Sequence, residues 1–496
     1  MPIPEREQIR IPNSELVFDR RKVLVVLLVP LAMTLMAISS VNVALPTIQI
    51  GLDATSADLQ WVLAGYALAF GVVLVPGGRM GDVLGRGTLF VVGIAIFTLA
   101  SIAGGFAPDP LFLNITRFLM GIGAGLNSPQ VNGMIQQYFA GHERAKAFAM
   151  FGLVISASVA AGPLITGVVI ELAGPELGWR FSFLLNGVFG IISVIMALRW
   201  LPFETERVRR ALKAAGTRVR QKVDLDPVGT VLLSAAVVCI MMPFMLQTWW
   251  GWFLIPGAGG VIALWVLWER RYAARGRAPM VDLKLFRHRN FTLQTAISGI
   301  MFIGTSSIFV VVALYVQGGL GASALDTSLV SLPEAILSGV FAMWAGGRIM
   351  RHGRSLIVYS LLAFIISIAL TIMTAWLIEI YGISYWWLML PLALMGFGHG
   401  AMGSANQTIA VVDVPNEDGG VAGGVKQTAE RIGNAVGNAM ITSIYFAFVT
   451  MGATMALTVS YVTIILICCV SLGIAIVDRR QQGPGVMEPI TGPFES

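Results

Sequence analysis

A few ionisable side chains stand inside stretches of sequence that are otherwise apolar, and these are where chemistry would be done. Arg117 lies in Asn114-Ile115-Thr116-Arg117-Phe118-Leu119-Met120-Gly121, and Glu334 in Ser331-Leu332-Pro333-Glu334-Ala335-Ile336. His399 falls on one helical face with Gly403, Asn406, Ala410 and Asp413. Lys426, Glu430, Asn434 and Asn438 recur at every fourth residue, with Arg431 beside them. An ionisable group in hydrocarbon costs several kcal/mol unless it meets a partner or a water-filled space, so each marks a site or a structural pair. A carboxyl or imidazole held there can take up and release a proton. Glu334 is the first candidate for such an acid; the other reading is an acid near the membrane surface. For His399, titration and a hydrogen bond to a neighbouring helix weigh evenly. Lys426 and Glu430 pair with each other or belong to a gate. Arg117 faces a cavity, for which Asn127, Gln130 and Asn132 make its helix polar enough, or is bound by backbone carbonyls or snorkels to the outer surface.

Two polar turns frame these runs. The first is Gly77-Gly78-Arg79-Met80-Gly81-Asp82-Val83-Leu84-Gly85-Arg86, between apolar runs at about 59–75 and 88–106. Glycine suits a turn that two helices approach closely. Asp82 can cap the free N–H groups of a helix start, and Arg86 can snorkel to the membrane surface. A related turn, Gly346-Gly347-Arg348-Ile349-Met350-Arg351-His352-Gly353-Arg354, has no acid in its middle. Two such turns far apart suggest a duplicated bundle. A further stripe of small residues, Ser158, Gly162 and Thr166, offers a surface for close helix packing, and Pro163 is expected to bend that helix.

The elements that must carry these residues are membrane helices. Residues AVILMFWYC make up 56% of the 496-residue chain, charged residues 12%, and mean hydropathy is +0.78. A soluble protein carries about twice that charge fraction. The net charge of +6 is not a nucleic-acid footprint, because the basic residues cluster in short segments between apolar runs. Cys239, Cys468 and Cys469 all lie in apolar runs and imply no disulfide framework. At ~20 residues per span there are about fourteen helices. Six lie within 23–201, two between basic linkers over 202–290, and six within 291–477. Residues 1–22 are expected as a cytoplasmic N-terminal segment without a cleavable signal, and 478–496 as a disordered cytoplasmic tail. The alternate loops that hold Arg79, Arg86, Arg144, Lys146, both linkers, Arg348, Arg351 and Arg354 lie inside by the positive-inside rule. The opposite loops hold one basic residue, Arg180.

The turn with Gly78, Asp82, Gly85 and Arg86 resembles the loop signature of the major facilitator superfamily. The stripe with Ser158, Gly162, Pro163 and Gly167 resembles the antiporter motif of its proton-coupled exporters, Ser158 and Thr166 standing where glycines are usual. Arg117 to Gly121 is similar to an Arg-x-x-Gln-Gly motif linked to proton or substrate handling, with Met120 in place of Gln. Val41-Asn42-Val43-Ala44-Leu45-Pro46 resembles the first-helix motif of the fourteen-helix drug:proton antiporter branch, but the usual membrane acid falls at Ala37. Trp179-Arg180-Phe181 with Asn186, Asp226 with Gly229, and Pro279 to Leu283 followed by Leu285-Phe286-Arg287 are further signatures of that branch.

The resemblance implies an all-α polytopic membrane protein of the major facilitator fold, with two six-helix bundles and two extra central helices. It implies proton-driven export of amphipathic or cationic compounds by alternating access around a cavity lined by helices 1, 4, 9 and 12. Arg117, Glu334, Asn42, His399, Asn406 and Glu430 are the candidates for coupling and the cavity. Gly78, Asp82, Gly85, Arg86, Lys426 and Arg431 are those for the gate, with Lys426 or Arg431 as partner of Asp82. The partners are a small-molecule substrate, the proton and the lipid bilayer, in a chain that works as a monomer; no cofactor, metal or nucleic acid is called for. The missing acid at Ala37 leaves open a dedicated exporter of an endogenous metabolite, siderophore or lipid, including an anionic one. A non-transporting scaffold or sensor is the remaining rival. The chain has no HExxH, nucleophile-elbow or Walker pattern, so an enzyme or ATP-driven pump is disfavoured.

Overall fold

The computed structural model describes residues 8–10, 17–203, 207, 224–246, 249–305 and 307–483. Most of the first basic linker, the tail from 484 onward, most of the N-terminal segment and the side chain of Asn42 lie outside the described residues. A small hairpin pairs β1 (Gln8–Arg10) antiparallel with β2 (Val17–Asp19). Everything else regular is helical. α1 is Arg20–Leu52, α2 Ser56–Leu84, α3 Arg86–Gly105 and α4 Pro110–Tyr138. The 60-residue run Gly141–Trp200 is two helices, α5 and α6, that part at Gly174 (φ 80, ψ 166). The extra pair is α7 (Pro227–Leu246) and α8 (Leu254–Ala274). Then come α9 (Arg289–Thr305, continued by Ile308–Ala313 and a π-helical turn Leu314–Gly319), α10 (Ala324–Gly346) and α11 (Ile349–Tyr381). α12 (Met389–Ala410), α13 (Gly419–Phe448) and α14 (Ala453–Gln482) complete the chain.

The breaks have local causes. Thr55 and Asp58 form a capping box at the start of α2, as Ser323 and Asp326 do for α10. Asp109 caps α4, and Pro110 takes the first-turn position where no N–H is needed. Between α2 and α3 the whole connection is Gly85, whose φ of 116° favours glycine. The polar stretch expected as a loop is therefore helical as far as Leu84. Its charged side chains find partners inside the protein, so the helix has no reason to stop at Gly77.

Thirteen segments among the described residues are long and apolar enough to cross a membrane. α4 makes a fourteenth by length, at 29 residues, but its amide side chains and Arg117 hold its hydropathy below that of the rest. Outward faces carry Leu99, Leu172, Leu198, Val231, Leu264, Leu466 and Val470, a surface suited to lipid tails.

The chain divides into two compact units. The first is 1–139, 158–285 and 414–428; the second is 140–157, 286–413 and 429–496. Within the first, α2 and α4 pack along each other, α3 covers α4, and α7 joins α8 and α2. Tyr66, Phe90, Phe97 and Trp179 fill its interior. Within the second, α12 packs between α10 and α11, while α14 packs on α9 and α11. Tyr315, Phe364, Leu392 and Tyr461 are among its fully buried side chains.

Candidate functional site

In the first unit, the densest polar geometry around an ion pair is at the end of α2. Asp82 Oδ1 accepts from Arg86 Nε at 2.8 Å and Nη2 at 2.7 Å. The same oxygen accepts from the Gly420 amide at 3.2 Å, and Oδ2 from the Val421 amide at 2.9 Å. Gly420 and Val421 are the second and third residues of α13, so the carboxylate caps that helix start, where free N–H groups and the helix dipole favour an anion. Arg86 is buried, not snorkelled to the surface. It also donates to Gly133 O at 2.8 Å, to Gln137 Oε1 at 3.1 Å and to Asn416 O. A paired, fully hydrogen-bonded guanidinium need not reach water. The partners of Asp82 are thus Arg86 and two amides rather than Lys426 or Arg431. Lys426 is buried further along the same helix, and Arg431 belongs to the second unit. Small residues permit the approach: a Cβ at Gly78 would collide with Gly420 O, and one at Gly424 would lie 2.6 Å from Leu74 O.

Arg117 is 1% exposed and meets no carboxylate among the described residues. Its Nε donates to Val62 O at 2.9 Å and its Nη1 to Ala37 O at 3.4 Å. The guanidinium lies 4.4 Å from the centre of the Tyr66 ring, a cation–π contact. The position where the resemblance expects an acid thus supplies a backbone carbonyl instead. Ala37, Arg117, Met120 and Asn186 border a void of about 10 Å³, the room of a single water at most. On α5, Ser158, Gly162 and Thr166 are all buried. Gly162 faces α1, where an added Cβ would lie 3.0 Å from Met36 O and against Ser39, whereas Gly167 has open space around it. Helical torsions continue through Pro163 to the break at Gly174. Arg180, the exception to the loop charge rule, stacks on Trp179 at 4.4 Å and donates to Ala107 O at 2.7 Å.

The second unit joins two residues that the sequence leaves apart. His399 Nδ1 lies 2.6 Å from Glu334 Oε1, with Glu334 4% exposed. α12 can lie this close to α10 because of Gly396 and Gly400. A Cβ at Gly396 would be 2.6 Å from Glu334 O, and one at Gly400 would strike Ser338 O. Phe309 stacks parallel to the imidazole at 6.4 Å, and Phe364 meets it edge-on at 4.9 Å. Ser338, one turn from Glu334, shares a 2.7 Å hydroxyl contact with Ser156.

Asn406 serves a different group. It donates to Gln294 O and Oε1 at 2.9 and 3.0 Å, and Gln294 donates to Asp478 at 3.1 Å. Asp478 pairs with Arg354 at 3.3 Å, and Arg354 reaches Asn290 Oδ1 at 2.8 Å and Gln482 Oε1 at 2.6 Å. Asn290 donates in turn to Asp413, which lies beyond the end of α12 rather than on its face. The second polar turn, which has no acid of its own, thus borrows one from α14. Asp478 is 1% exposed in a helix that runs on to Gln482, where the sequence suggests a disordered tail. The signal available was Asp478-Arg479-Arg480 directly abutting an apolar run. Glu430 accepts from Ser298, and Asn438 accepts from Ser307 at 3.1 Å, so this face of α13 meets α9.

Single ionisable groups set in apolar helices, most of them with partners from neighbouring helices, mark a polytopic membrane protein. The sequence pattern of the Major Facilitator Superfamily matches residues 27–438, and the chain belongs to that family, one of transporters rather than enzymes. Over 419 residues it is 30% identical to the probable actinorhodin transporter of Streptomyces coelicolor, spanning 83% of this chain and 70% of that one. Over 442 residues it is 31% identical to the puromycin resistance protein of Streptomyces alboniger, spanning 87% and 82%. Such relatives accord with the fourteen-helix drug:proton antiporter branch. The human organic anion transporter MFSD10 superposes with a TM-score of 0.64 at 15% identity, over 92% of this chain and 99% of that one, a likeness of fold.

Proposed function

We propose that this transporter is a proton-coupled antiporter that exports amphipathic or cationic compounds by alternating access. The observation that carries this reading is the pairing of buried Glu334 with partly exposed His399. With neutral imidazole and ionised carboxyl the pair bears one negative charge, and one added proton cancels it. A cation bound against Glu334 and the rings of Phe309 and Phe364 is held by charge and by cation–π attraction. A proton arriving from outside removes that charge and releases the cation outward; loss of the proton to the inside resets the site. Asp82 on the start of α13 acts as the cytoplasmic latch in this scheme. The protein would then sit in the cell membrane with both termini cytoplasmic and work as a monomer without a cofactor.

Efflux of a cationic dye from proteoliposomes under an imposed pH gradient tests the reading. Wild type exports the dye and Glu334→Gln does not; equal efflux from both excludes Glu334 as the coupling acid. Arg117 supports a second reading. A buried cation with carbonyl and ring partners, but no carboxylate, suits a dedicated exporter of an anionic metabolite, siderophore or lipid. A strain lacking the protein would then keep its resistance across a broad panel of cationic drugs.

A further inference from the structure

The two extra helices carry a pair of carboxyls that the scheme above does not use. Asp226 precedes α7 with a φ of 42°, and its Oδ1 accepts from the Gly229 amide at 3.0 Å and from Trp268 Nε1 at 2.8 Å. Glu269 stands near the end of α8. Both side chains converge on the space above Gly229, where a Cβ would strike Asp226 Oδ2 and lie 2.7 Å from Glu269 Oε1. Asp226 is 0% and Glu269 1% exposed. Asp226 Oδ2 and both oxygens of Glu269 complete no hydrogen bond. The Trp265 indole and the amides of Met280 and Val281 lie toward Glu269 without completing one.

Among the described residues, the nearby charged groups are engaged with one another rather than with the pair. Asp224 accepts from Tyr272 Oη at 2.6 Å, Arg79 of α2 donates to the Asp224 carbonyl at 3.4 Å, and Arg277 lies over the Tyr272 ring at 5.4 Å. Among the described residues no cation forms an ion pair with Asp226 or Glu269. Two buried carboxylates that converge on one space and meet no cation among the described residues are strongly disfavoured as a doubly ionised pair. We propose that Asp226 and Glu269 form a proton-binding pair that holds one proton between Asp226 Oδ2 and Glu269. The site is separate from Glu334 and does not depend on the transport scheme. Met280, with Arg79, Asp282, Asp418 and Val421, also lines a recess of about 280 Å³, so the proton stands beside the segment that borders the start of α13.

Infrared titration of the purified protein in lipid vesicles, in a Glu334→Gln background, tests the pair. The expected result is a titrating protonated-carboxyl band that is lost on adding Glu269→Gln and whose midpoint moves on adding Asp226→Asn. A band untouched by Glu269→Gln, or a midpoint untouched by Asp226→Asn, overturns the proposal. So does a midpoint that follows sodium concentration, which would make this a metal-cation site. If Asp226→Asn does not fold, Asp226→Glu, which keeps the carboxyl but moves it, carries the same test: an unchanged midpoint of the band refutes sharing.

Discussion

The Glu334–His399 contact brings together two residues 65 positions apart, and predictions follow for each half. His399→Gln keeps the volume and a polar contact but removes one proton site. Efflux should fall by roughly tenfold, about 1.4 kcal/mol in the barrier, and its pH profile should shift; an unchanged profile would leave Glu334 acting alone. For Arg117 a substitution separates a structural duty from the anion-binding one of the second reading. Arg117→Lys should cost about 2 kcal/mol through the lost contact with the Tyr66 ring, read as a lower melting temperature, with cationic-dye efflux retained. Full stability with lost efflux would instead put Arg117 on the transport path. Each of these residues was legible in the sequence as an oddity in an apolar run. Their pairings were not, because nothing local links Glu334 to His399 or Arg354 to Asp478.

Helices meet where side chains are missing, and substitution of glycines separates close packing from open space. Gly400→Ala should force α12 away from α10 at a cost of about 1–3 kcal/mol and separate His399 from Glu334. Gly78→Ala should do the same to α2 and the start of α13. Gly167→Ala, with nothing within 4 Å, should be neutral in both melting temperature and efflux. Asp82→Asn leaves the buried Arg86 without its counter-charge and weakens the cap on α13. That should cost about 3 kcal/mol, on the order of a hundredfold in the population of the docked arrangement. Transport at the wild-type rate would remove Asp82 from the latch. The small-residue stripe of α5 was readable from its four-residue spacing. The extent of α2 was not, because the partners that let its polar end stay helical come from α4 and α13.

At the scale of the whole chain, hydropathy and the alternation of basic loops gave fourteen crossings and an orientation. In a variant without Cys239, Cys468 and Cys469, Ala274→Cys should react with an impermeant thiol reagent from the cytoplasmic side only, and Pro108→Cys from the outside only. Reaction of both from one side would refute the topology. The polarity of α4 has a consequence for how the protein is made. A segment carrying Arg117, Asn127, Gln130, Asn132 and Gln136 cannot be left alone in lipid by the insertion machinery. It must wait beside the translocation channel until α2 and α3 can shelter it, so the early part of this protein enters the bilayer as a group of helices rather than one at a time. Ribosome-bound chains long enough for α4 to have left the exit tunnel should therefore retain α4 at the channel when α3 is scrambled, and release it when α3 is intact.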